Sequence, residues 1–388
     1  MRVLLVSEGS GGHLVPALEV AQALCRRSAA VDVWYAKRAK ADALVQALAV
    51  PLKEKGIAVS SIEVSGLSGL AGRAEHTLRL ARRTRRYIRE AHPAAVVGFG
   101  GWVSVPVLSA ARLSNVPTLL HEQNAVLGRA NRLSARWVDA VATAFAQTQG
   151  LPRRRSVLHT GMPVRTSFLN LEAGRPDWTR FGFERGRSTV LVVGGSQGSR
   201  AVNRLMRQLS TRLTPQERAG WQVLHIAGPE DADAMRRTYA DAGVRAFVAP
   251  HMPDMPSAFL VADVVVGRAG ASTLAELMVT GKPSVLIPYP YAHAHQMANA
   301  RWLVAKGLAH VIEEKSATPE KLLEVLRLVL SDGEWRRRVA AGLHREAVTD
   351  AAERIADTVF SLAGKHSSAG RMQDAQVWSV QTQGARAA

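Results

Sequence analysis

Three glycine-rich turns hold the side chains of this 388-residue chain best placed to do chemistry. GSGGH at 9–13 ends the apolar run RVLLVS, GFGGW at 98–102 follows AAVV, and GGSQGS at 194–199 follows STVLVV. A strand, a glycine turn and a helix start leave backbone N–H groups unpaired at the positive end of a helix dipole, which suits an anion. Ser196, in the third turn, reads as a contact to something phosphorylated. One such turn is ordinary in any α/β protein. Three, flanked by Ser10, His13 and Gln197, point to a phosphate or sugar site. None has the G-x-G-x-x-G spacing of a dinucleotide fold, since Leu14 stands where the third glycine belongs, and no acid ends VDVWYAK to hold a ribose.

Two further stretches carry recognition chemistry. HEQNAVLGRANRL (121–133) puts His121, Glu122, Gln123 and Asn124 at a strand's end, either as a hydroxyl-binding group or as a cap, with Asn124 opening a helix over 126–137. The first reading is preferred. In GRAGASTLAELMVTGKPSVLIPYPYAHAHQMANA (267–300), Ala271, Ser272 and Thr273 form a helix start suited to a diphosphate or sugar. Glu276 lies one turn in, able to accept from vicinal ribose hydroxyls or to close a capping box with Ser272 or Thr273. Gln296 and Asn299 share one helix face. His293 and His295 lack a third ligand, so no metal is expected.

The elements that position these residues alternate in type. RVLLVS, VDVWYA, AAVVGF, PTLLHE and DAVATAF read as buried strands in the first half; STVLVVG, WQVLHIAG, VRAFVAP, ADVVVG, PSVLIP and AHVIEE do so in the second. Helical patterns separate them. The alternation predicts two doubly wound parallel sheets joined near residue 163, with ligands at the carboxyl ends of the strands in a cleft between domains. The single cysteine, Cys25, rules out a disulfide framework and fits a reducing compartment. The opening residues break into charge and glycine too early for a signal peptide, and no apolar run is long enough to span a membrane. Net charge is +18. Residues 1–163 hold 22 basic and 10 acidic side chains, and seven arginines fall in RAEHTLRLARRTRRYIRE (73–90). That stretch is a solvated helix face, a nucleic-acid patch or a helix on anionic lipid. No stacking platform or nucleic-acid module supports the second reading.

GSGGH, GFGGW, HEQNAVLGRANR, GGSQGSRAVN and the 267–300 stretch, in this order, resemble the MurG family of UDP-N-acetylglucosamine–N-acetylmuramyl-(pentapeptide) pyrophosphoryl-undecaprenol N-acetylglucosamine transferases. The resemblance runs from about residue 3 to about 360. It implies the GT-B architecture of two Rossmann-like domains, with UDP-GlcNAc as donor, lipid I as acceptor, lipid II and UDP as products, inversion at the anomeric carbon and no cofactor. It implies an acceptor-binding, membrane-associating domain over 1–163 and a UDP-GlcNAc-binding domain over 164–345. A helix over 346–365 would return to the first domain, before a disordered tail at 366–388. By motif, the donor contacts are Ser10, Gly11, Gly12, Asn124, Arg165 and Ser196, a backbone contact from Met252, then Ala271, Ser272, Thr273, Leu274, Ala275, Glu276 and Gln296. His13 is the leading base, with its near-neutral reference pKa, and Glu122 the alternative base or the group that orients His13. The protein is expected at the cytoplasmic face of the membrane as a peripheral enzyme, touching anionic lipid through Leu67, Leu70, Arg79, Arg82, Arg83 and Arg86, and not nucleic acid. A UDP-sugar transferase with another acceptor is the alternative. The chain departs from the family pattern at Ser10 (usually Thr), Trp102 (usually Tyr) and Met162 (usually Asn). An acid before HQ is missing, and Glu8 beside the first turn is unusual.

Overall fold

The computed structural model describes residues 1–37, 54–64, 69–153, 156–171, 175–195, 198–291 and 295–366. The chain forms two compact units. One comprises Met1–Gln123, Leu127–Thr160 and the chain from Asp350 on; the other comprises Asn124–Val126 and Gly161–Thr349. The division falls at 160/161 where the sequence suggested 163/164, and three residues of the first half belong to the second unit.

The first unit is a seven-stranded parallel sheet made of β1 (Arg2–Ser7), β2 (Ala30–Lys37), β3 (Ile57–Glu63), β4 (Ala95–Gly98), β5 (Thr118–Glu122), β6 (Ala140–Thr143) and β7 (Ser156–His159), in the order β3-β2-β1-β4-β5-β6-β7. In β1, Val3 and Leu5 pack on one face with the helix Gly11–Arg26, while Leu4 and Val6 pack on the other with Leu108 of the helix Ser104–Leu113. A strand buried on both faces needs the unbroken apolar run that RVLLVS supplies. β3 and β7 carry no such run. They are the two edges of the sheet, half exposed and broken by serine, which is why periodicity did not find them.

The final described helix, 351–366, packs Ile355, Ala356 and Val359 into the core beside Leu18 and Ala21. Arg26 pairs with Glu353 at 2.6 Å and Arg27 with Asp357 at 2.5 Å, and the Arg27 guanidinium lies 4.3 Å over Phe360. The helix thus belongs to the first unit, from 351 rather than 346. The tail expected at 366–388 lies, beyond His366, outside the described residues. On the other face, the helix Gly69–Ala91 buries Leu80, Thr84 and Ile88, and Tyr87 donates to Asp32 at 2.5 Å. Arg79, Arg82, Arg83, Arg85, Arg86 and Arg89 are exposed. Arg79 pairs with Glu75 at 2.5 Å, Arg86 with Glu90 at 2.7 Å, and Arg83 stacks 4.6 Å over Trp34.

The second unit is a six-stranded parallel sheet of β8 (Ser188–Val193), β9 (Trp221–Ile226), β10 (Ala246–Ala249), β11 (Val264–Gly267), β12 (Ser284–Leu286) and β13 (His310–Val311), in the order β10-β9-β8-β11-β12-β13. All six strands expected in the second half are present. No helix among the described residues is long and apolar enough to cross a membrane.

A polar network crosses the core of this unit. His225 on β9 is fully buried, with Nδ1 2.9 Å from the Tyr239 hydroxyl and Nε2 3.0 Å from Asn203 Oδ1. Asn203 in turn donates to Ala227 O at 2.8 Å and to Asp231 Oδ2 at 2.7 Å. Every member is paired, as burial demands. Burial pushes the His225 pKa down to about 3, against a small opposing pull from Asp231. The unfolded chain takes up this proton near pH 6.5, whereas the folded unit refuses it until about pH 3. The stability carried by neutral His225 is therefore complete above pH 6.5 and lost as pH falls toward 3. Urea unfolding followed from about pH 7 to about pH 4 should show falling stability, and His225→Gln should remove part of that slope.

Candidate functional site

In the first unit the sites gather at the carboxyl ends of β1, β4 and β5. Ser10 is the N-cap of Gly11–Arg26, but its hydroxyl makes no capping bond. It meets His13 Nδ1 at 2.8 Å instead. With Nδ1–H donating to Ser10, the imidazole carries its lone pair on Nε2. Gly11 and Gly12 supply helix-start amides with no side chain in the way. The second turn backs this histidine. Gly100 and Gly101 both take positive φ, at 87° and 82°. A Cβ on Gly100 would lie 3.0 Å from His13 Cδ2 and 3.4 Å from Asn131 Nδ2, and one on Gly101 would overlap the Glu8 side chain. Glu8 is buried and accepts from the Trp102 N–H at 3.2 Å, while the Trp102 ring is 61% exposed.

Glu122 closes β5 and is 1% exposed. Its Oε2 accepts from Gly128 N at 3.0 Å and from Asn131 Nδ2 at 2.8 Å, across the start of the helix Arg129–Ser134. That carboxylate braces a helix start. Gln123 donates to Phe99 O at 2.9 Å and so ties HEQN to the second turn. Asn124 opens no helix, since Gly128 is the N-cap there. It accepts from Asn299 Nδ2 at 3.1 Å. Asn299, fully buried, also takes the Ala125 N–H at 2.8 Å and donates to Ala269 O at 3.2 Å, which is why residues 124–126 go with the second unit.

In the second unit the third turn leads into the helix Arg200–Ser210, capped by Ser199 from Val202 N at 3.4 Å. Ser196 and Gln197 lie outside the described residues. Around this helix start is a cavity of about 340 Å³, lined by Gly194, Gly198, Ser199, Arg268, Tyr289, Gln296 and Glu314 among others. Arg268 is buried, pairs with Glu314, donates to Ile287 O at 3.0 Å and lies 5.4 Å over Tyr289. Gln296 accepts from Tyr289 N at 3.0 Å. Gln296 was legible in the sequence. Arg268, directly before AGAST at the end of β11, had a positional signal that went unused; Tyr289 and Glu314 had none.

The helix Ala271–Thr280 starts at Gly270 and exposes part of Ala271, Ser272 and Thr273, with Leu274 and Ala275 buried behind them. The Ser272 hydroxyl is buried without a hydrogen-bond partner. Glu276 caps nothing. It receives Arg165 Nη2 at 2.9 Å, and burial raises its pKa while Arg165 opposes the rise. The Arg165 guanidinium also lies 5.1 Å over Phe168. Met252 sits in the loop between β10 and the helix Met255–Val261, and Met162 is buried, so its thioether serves packing. His293, Leu67 and the Leu70 side chain lie outside what is described.

Two parallel-sheet units, each with glycine turns at its strand ends and one with a cavity at a helix start, are the build of a GT-B glycosyltransferase. The N-terminal domain of glycosyltransferase family 28 matches residues 3–143 and its C-terminal domain residues 189–355. The chain is 37% identical over 375 residues to the UDP-N-acetylglucosamine–N-acetylmuramyl-(pentapeptide) pyrophosphoryl-undecaprenol N-acetylglucosamine transferase of Rhodospirillum centenum, covering 93% of this chain and 94% of that one. The transferase of the same name from a Methylobacterium species is 39% identical, over 93% of this chain and 96% of its own. The crystal structure of Acinetobacter baumannii MurG superposes with a TM-score of 0.73 at 28% identity, over 93% of this chain and 99% of that one. The chain belongs to glycosyltransferase family 28 and, within it, to the MurG transferases.

The third turn yields a test of its own. Gly198 has φ 73°, and a Cβ there would run into the carbonyl of Ala227, which is backbone and cannot swing aside. Gly198→Ala should cost about 1–3 kcal/mol from backbone strain alone, with the collision in addition. Thermal melting of the variant measures it. An unchanged melting temperature would mean that the turn is not held in this form.

Proposed function

We propose that this glycosyltransferase moves N-acetylglucosamine from UDP-GlcNAc to the C4 hydroxyl of MurNAc in lipid I, giving lipid II and UDP. The observation that carries the reading is 37–39% identity, along 93% of the chain, to relatives whose names give UDP-N-acetylglucosamine and N-acetylmuramyl-(pentapeptide) pyrophosphoryl-undecaprenol as the two substrates of an N-acetylglucosamine transferase. The second unit would hold the donor. Amides of the third turn and the starts of Arg200–Ser210 and Ala271–Thr280 suit a diphosphate, Arg165 adds charge, Glu276 suits the ribose hydroxyls, Met252 the uracil and Gln296 the sugar. Ser196 would contact a phosphate, and Ser10, Gly11, Gly12 and Asn124 would complete the donor set.

The chemistry falls to the first unit. As the acceptor oxygen forms its bond to C1 of GlcNAc, the bond from C1 to the diphosphate oxygen breaks on the opposite face, and configuration inverts. The acceptor's proton goes to His13 Nε2, in the tautomer whose Nδ1–H donates to the Ser10 hydroxyl 2.8 Å away. Amides and Arg165 offset the charge that builds on the departing UDP.

Incubation of the protein with labelled UDP-GlcNAc and a lipid I analogue tests the reading, with the β-linked disaccharide product expected. Absence of transfer, with UDP-GlcNAc still bound, would overturn the acceptor assignment. In the same assay His13→Ala should lower kcat by about 100-fold or more and leave UDP affinity unaltered, the scale of general-base catalysis. A near-normal kcat would move the proton transfer to another group.

A polyprenyl-borne acceptor requires the enzyme to work at a membrane surface, which we place at the cytoplasmic face, with the helix Gly69–Ala91 toward anionic lipid. Its outward arginines support this. The i,i+4 partners of Arg79 and Arg86 hold exposed charges weakly and leave both able to meet headgroups. Replacing Arg79, Arg82, Arg83 and Arg86 by Gln should release the protein from anionic vesicles and slow turnover of vesicle-borne lipid I, with a soluble acceptor turned over normally. Wild-type binding should weaken with salt. Vesicle binding that survives the four substitutions would make this a solvated face.

A further inference from the structure

Glu8 takes no part in the reaction above, yet it is the acid buried closest along the chain to the base, at 9% exposure at the end of β1. Its Oε1 accepts the Trp102 N–H at 3.2 Å, and its side chain fills the space over Gly101 that a Cβ would need. The preceding residue, Gly100, backs the His13 ring, since a Cβ there would lie 3.0 Å from Cδ2 and 3.2 Å from Nε2. His13 and Glu8 thus lean on adjacent residues of one strip. Two consecutive glycines at positive φ give that strip more conformational freedom to lose than other residues would, and Ser104 accordingly donates to both their carbonyls, at 2.7 Å to Gly100 O and 3.2 Å to Gly101 O. The strip's ends are held by Gln123 at Phe99 O and by Glu8 at the Trp102 N–H, and of these bonds only that from Glu8 fixes the N–H side of the turn. Without Glu8 the part-buried Trp102 N–H loses an acceptor and a void opens over Gly101.

We propose that Glu8 is a positioning residue for His13: it fixes the Gly100–Trp102 turn and so holds the imidazole against a rigid wall. It touches no substrate. The inference rests on His13 being the base, and the experiment separates the two.

Steady-state kinetics are measured for wild type, Glu8→Ala, Glu8→Gln, His13→Ala and the Glu8→Ala, His13→Ala double variant, with thermal melting of each. Glu8→Ala should lower kcat by about tenfold, the scale of a small misplacement of a reacting group, with donor KM within about twofold of wild type. Glu8→Gln keeps an oxygen facing the Trp102 N–H and should recover most of the loss. In the His13→Ala background Glu8→Ala should cost nothing further, since its effect runs through the missing ring. If Glu8→Ala does not fold at the assay temperature, Glu8→Asp, one methylene shorter, withdraws the acceptor and takes its place. The proposal falls if kcat is unchanged, if donor KM rises with kcat intact, if Glu8→Gln is as slow as Glu8→Ala, or if the double variant loses the two effects additively. A His13→Ala enzyme with normal kcat removes the base assignment and this proposal together, and a wild type that transfers no sugar removes the function first.

Discussion

Gly101 and Gly198 have no room for a side chain, and the site residues of both units are arranged around that constraint. At Gly101 the excluded volume is filled by Glu8, and at Gly198 by the carbonyl of Ala227. Gly101 lets the Glu8 side chain lie against the second turn in one unit, and Gly198 lets the third turn approach the backbone at the end of β9 in the other. A helix start can face a ligand only if the preceding turn is tight, and the turn is tight only because these positions lack Cβ atoms. The His13 ring lies against Gly100, next to Gly101, and Gly198 lines the cavity together with Ser199 and Arg268.

Buried polar groups then give each unit its fixed shape. Glu122, Gln123, Asn299, Asn203 and His225 are almost fully buried, and each makes named bonds to backbone or to one another. An unpaired polar group in such a place would cost more than the pair contributes, so these bonds select one arrangement over its neighbours. Asn299 is the clearest case. By holding Asn124 and the Ala125 N–H, it assigns three residues of the HEQN segment's downstream end to the second unit.

The Arg165–Glu276 pair shows how one contact can change the reading of two residues. They hold each other at 2.9 Å, with Glu276 pushed toward protonation by burial and held back by the guanidinium. The contact uses one guanidinium N–H and one carboxylate oxygen, so each side chain keeps hydrogen-bonding capacity for a further group.

Strands buried on both faces were plain in the sequence, because only an unbroken apolar run can fill such a position: RVLLVS, STVLVV and VVVG needed no structure to be seen. The glycine turns, Ser10 with His13, HEQN, AGAST with Glu276, and Gln296 were equally legible, since their chemistry is local and their spacing short. The edge strands β3 and β7 were not, for an edge needs only half the apolar pattern. Nor were the partnerships. Glu8 with Trp102 and Gly101, Glu122 with Asn131, Arg165 with Glu276 and Arg268 with Glu314 join residues between 9 and 111 positions apart. Which acid meets which donor depends on strand order and on how closely two turns approach. Those are properties of the folded sheet, and no local pattern encodes them.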